Sequence, residues 1–381
     1  MNKKDQVTVP GVPSSPFRRG AAAVIPPGFL LGNASDTRAA TGCTVVLAKG
    51  GARAGVSVLG GAPATRETDL LAPMNTIEHI HAVVLSGGSA FGLDAARGVM
   101  DYLLSHNIGF NALGQTVPIV PAASLFDLTV GDGKVRPDAA MGAAACAAAC
   151  DQGFTGGNVG AGCGASVGKF LGPAQAMKGG LGLASVSLGR GFAQLIVSAV
   201  VAVNAVGTIY DRGQSRYIAG ALVPGSQPPT VADPLLTLIE LATATTPATG
   251  SGLLPPQKSA TEEGADAGLP QQQSVTGKGA NFPSPSCSTN TSIGAVLTNA
   301  ALSKVQAARV GQMAHDGLAR CIDPAHTAND GDALFCLAAG DVAASADFVG
   351  IVAAAVVEQA VLDAIWSAQS AYGLLCASAL G

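Results

Sequence analysis

The sequence predicts an α/β protein whose sheets and helices are stacked in layers. Short runs of β-branched residues alternate with Ala-rich stretches over residues 20–222, as expected when strands and helices succeed one another along a chain. Several runs are apolar along their whole length, which indicates strands in sheets that are covered on both faces. Charged residues make up 12% of the chain, about half of the roughly 25% usual in soluble proteins. We therefore expect a large core and further burial in a homo-oligomer.

The same periodicity places the individual elements. Strands are predicted at 43–47, 81–85, 118–121 and 196–203, and helices at 90–104 and 138–149. Beyond residue 290, strands are predicted at 293–297 and 333–337, and helices at 303–319 and 344–368. Residues 223–289 are rich in Pro, Gly, Ser, Gln and Thr, which predicts a linker. One helical patch, 233–242, interrupts this linker, with a proline at its second position.

Charge and cysteine content exclude several classes of function. The net charge is −4 and Lys and Arg form no block, so the chain has no electrostatic footprint for nucleic acid. The eight cysteines are scattered, and the close pair Cys146 and Cys150 has helical i,i+4 spacing. This pattern predicts reduced, buried thiols in a cytoplasmic protein. The five histidines lack paired spacing suited to zinc, so we expect no metal.

One segment raises the alternative of a membrane protein. Residues 191–210 are uncharged and long enough to cross a bilayer. Their β-branched run, small residues and Asn204 nevertheless suit one or two buried strands better. A second span is not expected at 349–357, because Glu358 and Asp363 interrupt that apolar region and indicate a packed helix. We therefore expect no membrane association.

Several motifs follow one another along the chain in a recognisable order. They are GCTVVL at 42–47, LSGGSAFGLDAARGVM at 85–100, PIVPAA at 118–123, FDL at 126–128, GNVGAG at 157–162, KGGLG at 178–182, VNAVG at 203–207, NTSIG at 290–294, HDGLAR at 315–320 and DGDALF at 330–335. Together they resemble the L-aminopeptidase/D-esterase family, which also includes β-peptidyl aminopeptidases and nylon-oligomer hydrolases. The resemblance covers nearly the whole chain except the first 20 residues and the linker.

The resemblance implies an α/β/β/α sandwich and a chain that cuts itself into two subunits. The matching bond is Asn290–Thr291, so the large subunit would be 1–290, with the linker 223–289, and the small subunit 291–381. Both would form one folded domain, assembled into homo-oligomers of processed heterodimers. Read alone, Thr291 is an ordinary loop residue before a strand. A freed N-terminal threonine, however, supplies both a nucleophilic hydroxyl and an α-amine, with a pKa near 7.7–8.0, that can act as its base.

The remaining site residues follow from matching positions. Asn204 resembles the asparagine that donates to the developing oxyanion, and Lys169 resembles a lysine near the nucleophile in the nylon-hydrolase branch. As alternatives, Asn204 could be a strand-end turn residue and Lys169 a solvated surface lysine. Asp330 and Asp332 match the acidic pair that orients the free amine and any substrate ammonium, although two carboxylates at this spacing could also form a plain solvated turn.

Two further features concern the oxyanion and the substrate. Gly87, Gly88 and Ser89 match a glycine loop whose backbone N–H groups would complete the oxyanion hole. Phe126 stands where several branches have a tyrosine, so a hydroxyl donor is lost there. That departure leaves the preferred substrate open.

The resemblance implies an amide hydrolase that acts on a small peptide or amide substrate and uses no cofactor. It would be either an aminopeptidase or an endo-acting hydrolase of oligoamides. An ornithine acetyltransferase shares the self-cleaving layout, but its scission motif usually has Ala before Thr, whereas this chain has Asn290. An unprocessed, non-enzymatic paralogue and a membrane transporter are the remaining alternatives.

Overall fold

The computed structural model describes residues 15–189, 194–243 and 290–380. The chain divides into two compact units. One unit comprises Met1–Pro234 together with Pro285–Gly381, and it contains every element discussed below except one helix. The other unit is Leu235–Ser284, of which the structure describes helix residues up to Thr243.

The described residues form 17 strands and five α-helices. The strands are β1 Phe17–Arg19, β2 Leu30–Asp36, β3 Thr41–Val58, β4 Ala64–Arg66, β5 Ile80–Ser86, β6 Phe110–Ala112, β7 Gln115–Val117, β8 Ala122–Ser124, β9 Ser166–Val167, β10 Met177–Lys178, β11 Gly180–Leu188, β12 Leu195–Asn204, β13 Thr208–Asp211, β14 Arg216–Ala219, β15 Thr291–Ala300, β16 Ile322–Asp323 and β17 Ala333–Val342. The helices are α1 Ala95–Ser105, α2 Ala139–Ala147, α3 Pro234–Thr243, α4 Lys304–Cys321 and α5 Ala346–Ser367.

The long strand β3 belongs to two sheets. Its second half borders the first sheet, in which the strand order is β1-β11-β12-β15-β17-β3. Its first half pairs with β2 and β5 in the second sheet, which continues through β8 to β4. The pairs β15–β17 and β5–β8 are parallel, and the other pairs in the two sheets are antiparallel.

Three apolar clusters show that the two sheets lie face to face with helices outside. The cluster between the sheets joins residues of both, such as Val83 and Leu85 from the second sheet and Ile293 and Leu337 from the first. A second cluster packs α4 and α5 on the outer face of the first sheet, and a third packs α1 and α2 on the outer face of the second. The predicted α/β/β/α order is therefore confirmed.

Most of the predicted elements are present, with shifted ends. The predicted helix at 90–104 begins as a short 3-10 helix, Ser89–Asp94, and continues as α1. The prediction of a helical patch at 233–242 agrees with α3, whereas residues 244–289 of the predicted linker lie outside the described residues.

The predicted strand at 118–121 is wrong, and the strand there is β8, which begins at Ala122. Two prolines, Pro118 and Pro121, cannot donate to a ladder. The amide of Ile119 donates instead to Nδ1 of His81 at 3.2 Å, a side chain rather than a strand carbonyl. The segment therefore only accepts backbone hydrogen bonds from β5, at Ile119 O and Pro121 O, and a regular strand begins after it.

The apolar segments behave as parts of the core. The described part of 191–210 forms β12, in which every residue is buried, and β13. Within the described residues, α5 is the one helix long and apolar enough to cross a membrane, yet 67% of its most apolar window is buried inside the protein. It packs against α4, β11 and β12, as a core helix does.

Candidate active site

Strand pairing brings the predicted site residues to one edge of the first sheet. Asn204 is the last residue of β12 and lies opposite Thr291, the first residue of β15. β15 runs parallel to β17, so the turn before β17 reaches the same edge. A bridge between Asn290 and Asp330 extends this pairing by one more position. Thr291, Asn204 and the acidic turn, residues 330–332, therefore lie close together.

The Thr291 hydroxyl contacts the carbonyl group of the preceding residue, Asn290. Its Oγ1 donates a hydrogen bond to the Asn290 oxygen, and the side chain is buried. The backbone N–H of Gly331 donates to the same oxygen at 3.0 Å. A hydroxyl that could attack the Asn290 carbonyl carbon and an amide that could stabilise charge on its oxygen thus contact one carbonyl group.

Gly331 has a steric as well as an electronic role. A Cβ atom at this position would lie 2.7 Å from Thr291 Oγ1 and 2.8 Å from the Ala62 carbonyl oxygen. Ala62 belongs to the loop that follows β3, and its amide donates to the backbone carbonyl oxygen of Asp330 at 2.8 Å. The turn is therefore pressed between this loop and the threonine, and only glycine fits without displacing one of them.

Lys169 is buried against Asn204 rather than solvated at the surface. Its Nζ donates to the Asn204 backbone oxygen at 3.0 Å and to Asn204 Oδ1 at 2.8 Å. The amide of Ser166 donates to the same Oδ1 at 3.0 Å. These bonds fix which end of the Asn204 amide carries the oxygen, and they place a cation beside the residue opposite Thr291.

Phe126 reaches the site through its backbone. Its carbonyl oxygen accepts a hydrogen bond of 2.9 Å from Asn204 Nδ2, and its side chain is half-buried. The prediction that Asn204 donates to an oxyanion remains a prediction, because the bond seen in this structure goes to Phe126.

The glycine loop is held next to this segment, but its amides are already used. The N–H of Gly87 donates to Gly42 O, that of Gly88 to Asp127 Oδ1, and that of Ser89 to Leu125 O, at 2.7–2.8 Å. The prediction that these three donors complete the oxyanion hole is therefore not supported by the structure. The loop instead anchors Asp127, the neighbour of Phe126.

Asp330 is a buried carboxyl group that Thr327 of its own turn contacts twice. Its Oδ2 accepts bonds from the Thr327 amide at 2.9 Å and the Thr327 hydroxyl at 2.6 Å. Burial, and then the negative charge of Asp332, raise the pKa of Asp330 above its ordinary value. The solvated-turn alternative is excluded, since both aspartates are buried.

Asp332 holds the chain just after the nucleophile. Its Oδ1 accepts a bond of 2.6 Å from the Ser292 amide, and its Oδ2 accepts from the amide and Nδ1 of His326 at 3.1 and 2.7 Å. Three donors thus converge on one carboxylate. In this structure Asp332 orients β15 rather than presenting a free oxygen to a substrate.

A small cavity opens beside the lysine. It has a volume of about 270 Å³, and its lining includes Ser166, Lys169, Thr129, Ala174, Tyr372 and Leu374. Lys169 is the charged residue in this lining, and no carboxylate contributes to it. A larger cavity of about 680 Å³ lies elsewhere, against residues 21–30 and 151–153, and it contacts none of the site residues.

No sequence motif marks the backbone donors or the histidine of this site. The N–H groups of Gly331 and Ser166 carry no side-chain signal, although the glycine between two aspartates marks a turn in which the backbone approaches closely. For His326 the sequence pattern showed only that the histidines lack a spacing suited to zinc. The place of His326 six residues before Asp332 would have suggested a contact within one turn.

The described residues contain no group of three or more His, Cys, Asp or Glu side chains arranged to hold a metal ion. The seven cysteines in the described ranges are free, including Cys146 and Cys150. Burial raises the pKa of Cys146 to about 12, as expected for inert core thiols. Neither Cys146 nor Cys150 contributes to the site at Thr291.

Comparison with known proteins shows the family to which this chain belongs. The model of peptidase family S58 matches residues 27–375. An uncharacterized aminopeptidase of Mycobacterium leprae is 40% identical over 350 residues, which is 88% of this chain and 85% of the relative. A 6-aminohexanoate-oligomer endohydrolase of Paenarthrobacter ureafaciens is 30% identical over 357 residues, covering 89% of this chain and 84% of that enzyme.

Solved structures share the fold at lower identity. The L-aminopeptidase D-Ala-esterase/amidase of Ochrobactrum anthropi superposes with a TM-score of 0.62 at 16% identity, covering 94% of this chain and 92% of that one. A β-aminopeptidase of Burkholderia sp. gives a TM-score of 0.60 at 17% identity, with coverage of 93% and 90%. The family match spans most of the chain and includes every residue of the site, so this protein is a member of peptidase family S58.

Proposed function

We propose that this peptidase cleaves itself between Asn290 and Thr291 and then uses Thr291, as a new N-terminus, to hydrolyse amide bonds. The observation that carries the proposal is the contact of the Thr291 hydroxyl with the Asn290 carbonyl, which also accepts the Gly331 N–H. Nucleophile, electrophile and oxyanion donor are thereby assembled in the uncut chain.

Self-cleavage proceeds in two balanced steps. Thr291 Oγ1 forms a bond to the Asn290 carbonyl carbon, the C–N bond breaks, and the hydroxyl proton goes to the Thr291 nitrogen. The resulting ester is opened by water, which leaves the Asn290 carboxylate and restores the Thr291 hydroxyl. Gly331 N–H, at 3.0 Å from the carbonyl oxygen, stabilises the negative charge that develops there.

The mature site reuses the same parts for a substrate. Once the Asn290 carboxylate has moved away, a substrate carbonyl takes its place beside Thr291 and Gly331. The neutral α-amine of Thr291 removes the hydroxyl proton as Oγ1 attacks, and that proton then goes to the leaving amine. Water hydrolyses the acyl-enzyme. Lys169 keeps Asn204 in place and adds positive potential next to the reacting centre.

The cavity beside Lys169 disfavours a cationic substrate segment. Its lining of mostly uncharged residues, with Lys169 as the charge, offers no carboxylate to a cationic side chain. Short peptides and oligoamides both satisfy this requirement, and one relative is a 6-aminohexanoate-oligomer endohydrolase. We further propose that the processed heterodimers assemble into homo-oligomers, which would bury more of a surface poor in charge.

The activity is tested with aminoacyl p-nitroanilides and a defined oligoamide. Release of p-nitroaniline identifies an aminopeptidase, internal cuts in 6-aminohexanoate oligomers identify an endohydrolase, and acetyl transfer to ornithine would identify the acyltransferase alternative. Thr291→Ala should abolish each of them. If the variant retains the wild-type rate, the nucleophile lies elsewhere and the proposal fails.

A further inference from the structure

We propose that His326 is a positioning residue that holds the new N-terminus in place through Asp332. The inference rests on the proposed function and adds a residue to it. Thr291 loses its link to Asn290 when the chain is cut. The Ser292 amide then becomes the first peptide N–H of the small subunit, and it donates to Asp332 Oδ1 at 2.6 Å.

His326 contacts the other oxygen of the same carboxylate with two donors. Its Nδ1 lies 2.7 Å and its backbone nitrogen 3.1 Å from Asp332 Oδ2. The side chains are 19% and 3% exposed respectively, so water competes little for these bonds. With both oxygens occupied, the carboxylate cannot rotate away from Ser292 without breaking bonds on each side.

The backbone of His326 is shaped for this contact. Its φ is +57°, a left-handed conformation that residues other than glycine seldom adopt. This conformation directs the N–H and the ring of one residue at one oxygen. A ring that only filled space would not require the amide and Nδ1 to share an acceptor.

His315 packs against the imidazole ring of His326. The two imidazoles meet edge to face, with centroids 4.8 Å apart. His315 Nε2 lies 3.0 Å from the Ser57 carbonyl oxygen and therefore carries a proton. Burial lowers the pKa of His315, so a neutral ring packs against His326. A chain of contacts therefore connects Ser57, His315, His326, Asp332 and Ser292.

The test compares two replacements that both tolerate a left-handed backbone. His326→Gly keeps the backbone N–H and removes Nδ1, whereas His326→Asn keeps a side-chain N–H near the position of Nδ1. We expect His326→Gly to lower kcat of the mature enzyme on an aminoacyl p-nitroanilide about a hundredfold, as a displaced reacting group does. KM should change little, and His326→Asn should recover most of kcat.

The control is Leu113→Gly, at an exposed residue with φ +53° in the turn between β6 and β7. It introduces glycine at a comparable backbone conformation and should leave kcat unchanged. Melting temperatures show whether each variant folds. If His326→Gly fails to fold, His326→Asn decides alone, and loss of its kcat at the wild-type melting temperature would overturn the inference.

Other outcomes separate the inference from the proposed function. Equal kcat in wild type and His326→Gly, or equal losses in the Gly and Asn variants, would remove the positioning role and leave the nucleophile unaffected. A wild-type chain that neither cuts itself nor hydrolyses amides would instead contradict the proposed function.

Discussion

At the scale of single residues, chemistry at this site depends on which groups contact the Asn290 carbonyl. The Thr291 hydroxyl and the Gly331 N–H reach its oxygen from different elements, β15 and the turn before β17. Neither group is unusual by itself. Their convergence on one buried peptide group distinguishes Thr291 from Thr298, a buried threonine of the same strand whose hydroxyl donates to Ile196 O.

Replacing Gly331 by alanine should stop maturation. The added Cβ would lie 2.7 Å from Thr291 Oγ1, so the hydroxyl or the donating N–H must move. Loss of one oxyanion donor lowers a reaction rate by about 10²–10³. We expect the rate of self-cleavage to fall by at least that factor, as measured by denaturing gel electrophoresis. Gly50→Ala is the control, because its Cβ meets no atom within 4 Å. Wild-type cleavage in Gly331→Ala would contradict the assigned role.

The acidic turn should make stability depend on pH. Because burial and Asp332 raise the pKa of Asp330 above 3.8, the folded protein retains a proton that the unfolded chain loses. The stability contributed by this proton is present below pH 3.8 and is lost as pH rises through the folded-state pKa. Asp330→Asn removes this loss. The melting temperature of Asp330→Asn should therefore increase relative to that of wild type as pH rises. A difference in melting temperature that stays constant with pH would contradict this prediction.

Residue identities were predictable where a side chain carries the signal. Thr291, Asn204, Lys169 and the two aspartates lie together as the resemblance implied. The glycine-loop donors were predicted to face an oxyanion, yet Gly42, Leu125 and Asp127 accept their bonds. Which acceptor a backbone N–H meets depends on tertiary packing, and no local pattern contains that information.

At the scale of elements, the site exists because three strands end or begin together. Every residue of β12 is buried, so a slip of one residue would turn its apolar side chains to the other face and separate Asn204 from Thr291. Periodicity predicted these strands well. It could not predict that β3 would run for 18 residues and serve two sheets, since a change of partner along a strand leaves no periodic mark.

The outer helices α1 and α2 should affect stability without affecting chemistry. A Cβ at Gly98 of α1 would lie 1.7 Å from the Ala139 oxygen of α2. We expect Gly98→Ala to destabilise the protein by about 1–3 kcal/mol, the usual cost of overpacking, measured by chemical denaturation. Arg97→Ala is the control, as that side chain is 71% exposed. Unchanged stability in Gly98→Ala would show that the helices separate easily.

At the scale of the whole molecule, the two fragments that the proposed cleavage would produce are interleaved. Within the first sheet, β15 and β17 belong to the C-terminal fragment, and β12 and β3 of the N-terminal fragment flank them. The helices α4 and α5 of the small fragment also cover strands of the large one. Layer order was predictable from the resemblance, whereas this interleaving emerges only from the strand order.

Cleavage should therefore leave the protein assembled. Native mass spectrometry of the processed enzyme should give both fragments in one particle, because separating them would expose paired edges and the apolar core. Denaturant should be needed to release the 291–381 fragment. A small fragment that dissociates in native buffer would contradict the strand order.

The central claim is scission at Asn290–Thr291 by the Thr291 hydroxyl. Denaturing mass spectrometry of freshly purified and incubated protein tests it most directly. Wild type should give two fragments, 1–290 and 291–381, and Thr291→Ala should give a single chain. A wild-type chain that remains intact, a cut before Ser292 instead, or a Thr291→Ala chain that is still cleaved would contradict it.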